Sequence, residues 1–304
     1  MTTILSRRNV IGAGLAAGAA ALASTALPGA AQAEEAFGGP LIGQARGDQL
    51  HVMSFNLRYE GGDPAPRTWD ERRPLVATVL KRERPTILLT QEGLYGQNQD
   101  VLEDLRDHDW IHLGRMGGSK SEATAVFWER KRLKVLEYDH LWLSDTPLLI
   151  ASKNWGNNVV RMLTWVRFQD LRTGRDFYVV NNHFDHQSEP ARQKGAQMNL
   201  DVIAPWTSPV ICAGDFNQVP ETPTYQILTD GGLVDTMLAA EEPATPVYAT
   251  WNGWDPVPTE TGRRIDWILT TPEVRILSAA VNTYSKDGRT PSDHWAAQAL
   301  VELP

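Results

Sequence analysis

Val210-Ile211-Cys212-Ala213-Gly214-Asp215-Phe216-Asn217 opens as an apolar run of strand length and closes on two polar side chains around a phenylalanine. A short run of this kind reads as a buried strand whose last residues emerge at the edge of a sheet. The pattern recurs. Residues 50–57 carry Asn56 near their end, residues 86–90 are followed by Gln91-Glu92, and residues 176–180 by Asn181-Asn182-His183. Further runs at 123–128, 133–143, 160–168, 265–269, 274–281 and 295–303 alternate or are rich in Val, Ile, Phe, Tyr and Trp, as half-buried strands should be. Asp170-Leu171-Arg172-Thr173-Gly174 makes a plausible hairpin turn between two of them.

Helical patterns are fewer. Residues 69–82 place apolar side chains at 75, 76, 79 and 80 behind Thr68 as a cap, and residues 97–106, 189–203 and 223–228 are the others. Interleaved strands and helices point to an α/β protein with two sheets and helices outside them. At 42% hydrophobic and 22% charged over 304 residues, disordered, collagen-like and coiled-coil chains are excluded. One Cys supports neither an internal disulfide nor a Cys-based zinc site. A net charge of −8 argues against a protein that holds nucleic acid mainly by neutralising phosphates.

The N-terminus has its own logic. Arg7-Arg8 precede a weakly apolar Ala/Gly-rich segment, and Ala31-Gln32-Ala33 offers a small-x-small cleavage site. Residues 1–33 therefore read as a twin-arginine-type signal peptide, residues 34–48 as a linker and residues 49–304 as one domain. Cleavage would remove two arginines and no acid, leaving 271 residues at −10. The expected location is secreted or periplasmic, and export of a folded chain suits one without disulfides.

The polar residues with catalytic potential gather at strand ends: Asn56, Glu92, His183, Asp215 with Asn217, and Asp293-His294 just before the last strand. Asp266 lies within an apolar strand, where a carboxylate needs a partner. Each has an ordinary alternative: Gly214-Asp215-Phe216-Asn217 as a turn, Glu92 as a helix cap, Asp266 paired with Arg263 or Arg264. Strand ends on one edge converge, however. The set then offers Glu92, Asn56 and Asp293 as oxygen ligands for a hard cation such as Mg²⁺, beside two histidines suited to charge stabilisation and proton transfer. No nucleophile elbow, Walker loop, dinucleotide fingerprint or His-Glu-x-x-His helix is present. By elimination the set looks like one for metal-assisted hydrolysis by water.

Six motifs in order carry a family resemblance: Ser54-Phe55-Asn56, Gln91-Glu92, Asn182-His183-Phe184-Asp185-His186, Gly214-Asp215-Phe216-Asn217, Arg264-Ile265-Asp266 and Ser292-Asp293-His294. The chain resembles the endonuclease/exonuclease/phosphatase superfamily, with its deoxyribonuclease-like enzymes, neutral sphingomyelinases and inositol-polyphosphate phosphatases. The resemblance implies a four-layer α/β sandwich, two packed, mostly antiparallel sheets flanked by helices, with the site at one end. It implies Glu92 as the principal Mg²⁺ ligand, with Mn²⁺ or Ca²⁺ as alternatives, and Asn56 and Asp293 in the metal shell. Asp215 would orient or deprotonate the attacking water, and Asn217 would steady phosphate oxygens. His183 and His294 would stabilise the transition state or protonate the leaving oxygen, with Asp266 fixing the tautomer of His294. Asn182 stands where the family usually has Thr.

Around that centre, Arg161 and Arg192 are candidates to grip a second phosphate or an anionic head, and alternation puts Asp185 on the side of His183. His186 is expected to face away. Trp155, Trp251 and Trp254 lie in Gly/Asn/Pro-rich loops, where they could meet a membrane surface or stack on a sugar, base or inositol ring. The expected partner is a small or lipid-linked phosphoester, with nucleic acid disfavoured by charge and a monomeric state. An extracellular nuclease and a non-catalytic binding protein on the same scaffold remain the alternatives.

Overall fold

A parallel pair of strands needs a crossover, and this chain makes two. In the computed structural model, which describes residues 39–304, β1 (Gln49–Asn56) runs parallel to β2 (Ile87–Gln91) across the intervening α1 (Trp69–Glu83). Likewise β7 (Asp176–His183) runs parallel to β8 (Val210–Asp215) across α3 (Glu189–Ile203). The expectation of a signal peptide at residues 1–33 lies outside the described residues. Between the crossovers lie α2 (Tyr95–Asp104), β3 (His108–Ile111), β4 (Ala125–Glu129), β5 (Leu133–Trp142) and β6 (Met162–Asp170). After β8 come α4 (Pro223–Asp230), β9 (Val234–Asp235), α5 (Thr236–Ala239), β10 (Asp266–Thr270), β11 (Arg275–Asn282) and β12 (Ala296–Glu302).

The strands form two six-stranded sheets, ordered β11-β12-β1-β2-β4-β3 and β5-β6-β7-β8-β10-β9. Apart from the two parallel pairs, every ladder is antiparallel. Helices α1 and α2 share an apolar cluster with the first sheet, through Leu75, Val79 and Val101 against Met53, Phe55 and Phe127. Helices α3 and α4 do the same with the second, through Ala196, Leu228, Val180, Cys212 and Trp267. A third cluster, with Val52, Leu89, Phe177, Ile211 and Ile268, lies between the sheets. This is the four-layer α/β sandwich. No helix among the described residues is long and apolar enough to cross a membrane.

Alternation then decides which residues reach the site, because side chains two apart on a strand share a face. Val52 packs between the sheets, so Asn56 on the same strand points there too. By the same parity Phe177 and Val179 carry His183 inward, Ile211 and Ala213 carry Asp215, and Ile268 carries Asp266. The parallel pairs bring the C-terminal ends of β1, β2, β7 and β8 to one rim. The antiparallel strands β10 and β12 start there, with Asp266 opposite Asp215 in register. Asn182 has the other parity. It donates to the Ala213 carbonyl and accepts from Asn199 of α3, so the side chain in the family's Thr position faces away from the rim.

Sequence reading missed β3, a four-residue edge strand with one exposed residue, and placed α2 two residues late. The two-residue β9 was missed as well, and in both strands short length leaves little periodicity to see.

Candidate active site

Beneath the rim, polar side chains tie the sheets together. Gln91 Nε2 donates to Asn181 Oδ1 at 2.7 Å and Ser54 Oγ at 3.2 Å, and Asn181 Nδ2 donates to the carbonyls of Thr90 and Ala125. These cross-sheet bonds tie one sheet to the other directly below the candidate catalytic groups, although Gln91 Oε1 itself has no partner among the described residues. Gly214 sits at φ 138, and a Cβ there would lie 2.1 Å from the Asn182 carbonyl oxygen, so only glycine lets β8 approach β7 here. Glu92 and Asn217 adopt left-handed φ values of 62 and 52, strain concentrated where the chain leaves the sheets at the site.

Two hydrogen-bonded groups stand on this floor. In the first, Asn56 Nδ2 donates to Glu92 Oε1 at 3.1 Å and to Asp215 Oδ2 at 3.0 Å, while Asn56 Oδ1 accepts the Arg58 N–H at 2.9 Å. Asn56 Oδ1 thus accepts one backbone N–H and keeps a second lone pair, while its amide sets the spacing of the Glu92 and Asp215 carboxylates. In the second, His294 Nδ1 lies 2.9 Å from Asp266 Oδ2 and His294 Nε2 lies 4.0 Å from Asp215 Oδ2. Thr250 Oγ1 accepts the N–H groups of Ile265 and Asp266, and the Thr250 carbonyl accepts the Trp295 N–H, which pins Asp266 and His294 to one loop. Asp266 therefore pairs with His294, and Arg264 pairs instead with Asp235 at 2.7 Å.

Electrostatics separate the two histidines. Burial works against a charge on His294, but Asp266, Asp215 and Asp293 outweigh it and raise its pKa to about 10. His183 is pushed well below the ordinary range by burial and then by the charges of Arg161 and Arg115, so it is neutral. Burial, with Asp266 and Glu92 adding to it, pushes Asp215 up to about 7 against the pull of His294 and the Asn217 N–H. Burial and Glu92 also raise Asp293.

Glu92, Asp215 and Asp293 face one cavity of about 410 Å³ together with His183, His294 and Asn217. One donor atom each from Glu92, His183 and Asp215 lie within 4.8 Å of one another. Asp215 and Asp293, raised first by burial and then by neighbouring carboxylates, form with Glu92 an oxygen-rich set that fits a hard divalent cation, which would relieve their repulsion. Asn217 donates its N–H to Asp215 Oδ1 at 2.8 Å and its amide to the Phe184 carbonyl at 3.0 Å.

Of the expected substrate-binding residues only Arg161 lines the cavity. Asp185 accepts backbone N–H groups from Asn158, Gln187 and Ser188, so it shapes the loop that presents Arg161. Arg192 is buried against Glu189 and the Asp185 carbonyl, and that expectation of an anion grip is corrected to a structural one. His186, expected to face away, lines the cavity, because the strand ends at His183 and alternation stops with it. Glu122 and Arg115 went unnoticed. They lie outside the quoted motifs, yet Glu122 precedes β4, whose N-terminal end reaches the same rim, and the strand-end rule would have found it. Trp254 packs beneath the guanidinium groups of Arg67 and Arg72, and Trp155 against Lys194. Trp251, 40% exposed, lines the cavity.

Comparison with known proteins agrees with this geometry. An endonuclease/exonuclease/phosphatase family protein from Bacteroides thetaiotaomicron superposes with a TM-score of 0.80 at 29% identity, covering 86% of this chain and all of that one (100%). A mannosyl-6-phosphatase from Bacteroides thetaiotaomicron VPI-5482 gives 0.76 at 30% identity, covering 84% and 99%. A mimivirus protein, from Acanthamoeba polyphaga mimivirus, is 30% identical over 159 residues, 49% of this chain. The match spans 59% of that curated relative's length. The model of the Endonuclease/Exonuclease/phosphatase family matches residues 53–294, so the chain belongs to that family, whose members are hydrolases acting on phosphoesters.

Proposed function

We propose that the chain is a Mg²⁺-dependent phosphoesterase acting on a small phosphoester, free or lipid-linked, in preference to duplex DNA. The observation that carries this reading is the cavity: about 410 Å³, floored by the carboxylate–histidine cluster and walled by Arg115, Arg161 and Arg263. That volume suits a small molecule, and the guanidinium groups suit a phosphoryl anion. The net charge of −8 disfavours a long polyanion. Similarity to a mannosyl-6-phosphatase supports a sugar phosphate as one member of the class, and Trp251 offers a ring face at the cavity wall.

When bound beside Glu92 and Asp293, the cation would polarise a phosphoryl oxygen as a Lewis acid. The remaining work falls to the chain. Asn56 holds Glu92 and Asp215 at fixed spacing. Asp215, lifted to about 7 and steadied by Asn217, orients a water and accepts its proton at Oδ2. His294, kept charged by Asp266, sits where it neutralises the developing negative charge and can donate to the leaving oxygen. Neutral His183 completes the cradle.

A panel of p-nitrophenyl phosphate, its diester, sugar phosphates, sphingomyelin and duplex DNA, each with and without chelator, tests the proposal. Chelator-sensitive turnover of a small ester, restored by Mg²⁺ and at least tenfold faster than DNA cleavage at physiological salt, is expected. Fast DNA cleavage would favour the nuclease alternative, and no turnover of any ester would favour a binding protein. Residues 1–33 are read as an export signal, so activity is expected outside the cytoplasmic membrane. Activity retained inside intact cells would sink that part.

A further inference from the structure

Most buried arginines of this protein are neutralised or fully engaged. Arg132 is held by both oxygens of Asp170, Arg264 by both oxygens of Asp235, and Arg72 donates to the carbonyls of Leu57, Arg58, Arg67 and Pro291. Arg161 is different. It is only 6% exposed, and its Nε has no hydrogen-bond partner among the described residues. Its Nη1 lies 2.8 and 2.7 Å from the two ring nitrogens of His183, and its Nη2 lies 3.2 Å from His186 Nδ1. The nearest carboxylate, Glu122, is 3.8 Å away and already bonded by Arg115 through both oxygens. A guanidinium buried with no carboxylate oxygen in hydrogen-bond contact is costly, and its planar fork matches the geometry of a phosphoryl anion.

Its place tells which anion. His183 Nε2 is 3.6 Å from Asp215 Oδ2, so Arg161 lies one side chain beyond the water-orienting carboxylate. Arg58, by contrast, stands beside the proposed metal ligands, 3.9 Å from both Glu92 and Asp293. We propose that Arg161, with His186, grips the third unesterified oxygen of a terminal phosphoryl group and so selects phosphomonoesters over phosphodiesters. The proposal rests on the phosphoesterase reading above. A monoester has three unesterified oxygens and close to two charges near neutral pH, whereas a diester has two such oxygens and one charge. In a diester the third position carries carbon. Placed against Arg161, that carbon leaves the guanidinium without an oxygen in hydrogen-bond contact, and loss of a matched polar contact in a closed site discriminates strongly.

The test pairs p-nitrophenyl phosphate with bis(p-nitrophenyl) phosphate, with Mg²⁺ present, for the wild type, Arg161→Met and Arg161→Lys, and measures inorganic phosphate binding by calorimetry. The wild type is expected to favour the monoester in kcat/KM by at least about 100-fold. Arg161→Met should lose roughly 100-fold or more on the monoester, under about threefold on the diester, and at least about tenfold in phosphate affinity, with Arg161→Lys between. Because Met removes a buried cation whose nearest carboxylate, Glu122, is 3.8 Å away and remains paired with Arg115, its melting temperature should not fall. Equal losses on both esters with a lowered melting temperature would make Arg161 structural and overturn the proposal. So would a wild type that prefers the diester, or phosphate binding unchanged in Arg161→Met. Turnover of neither ester by the wild type, with phosphate binding still dependent on Arg161, would defeat the phosphoesterase reading and leave the anion grip standing.

Discussion

Asp215→Asn is expected to lower kcat by roughly 10²–10⁴-fold with little change in the fold, the loss typical of a removed general base. Asparagine keeps the shape of the side chain and can still accept the Asn217 N–H, so β8 and its register with β10 should persist. What it cannot do is take a proton from water. The native carboxylate is well placed to take one. It is buried, about 7 in pKa, 3.0 Å from the Asn56 amide, and flanked by two histidines at 3.6 and 4.0 Å. Steady-state kinetics on the best substrate of the panel decide it. A loss under tenfold would remove Asp215 from the role of base.

The second large effect concerns the pair behind it. Asp266→Asn is expected to lower kcat by about 10²–10³-fold and to move the alkaline limb of the pH–rate profile from near 10 toward the ordinary histidine range, because Asp266 is the leading source of the charge on His294. The sign for stability follows the same shift. A histidine whose pKa is raised on folding adds stability that is complete below its unfolded value of about 6.5 and disappears as pH rises through about 10. The variant should therefore melt below the wild type at pH 6, with the gap closing at alkaline pH. An unchanged alkaline limb would mean that His294 does not act as the charged group.

Much of this site was legible because its residues sit at strand ends, where an apolar run stops on a polar side chain and alternation fixes the face. Asn56, His183 and Asp215 were readable that way, and Asp266 from the anomaly of an acid within an apolar strand. What alternation cannot carry is contact between segments far apart in sequence. Asp266 could have met Arg264 or His294, and only the loop pinned by Thr250 decides for His294. Asp185 and Arg192 were misplaced for a related reason: past His183 the chain turns into a helix cap, where Asp185 serves backbone N–H groups and Arg192 serves the Asp185 carbonyl. The orientation of Asn56 could not be foreseen either, since it depends on an Arg58 N–H placed by a left-handed residue, φ 52. Periodicity located both sheets well and failed at β3 and β9, whose four and two residues are too few to show a period.

The central claim is that this rim directs water onto phosphorus. Hydrolysis carried to completion in ¹⁸O-labelled water, with Mg²⁺ present, tests it most directly by mass spectrometry of both products. One labelled oxygen per turnover in the phosphoryl product and none in the released alcohol is the predicted result. Label in the alcohol would mean that the carbon–oxygen bond is the one broken, and would contradict the account.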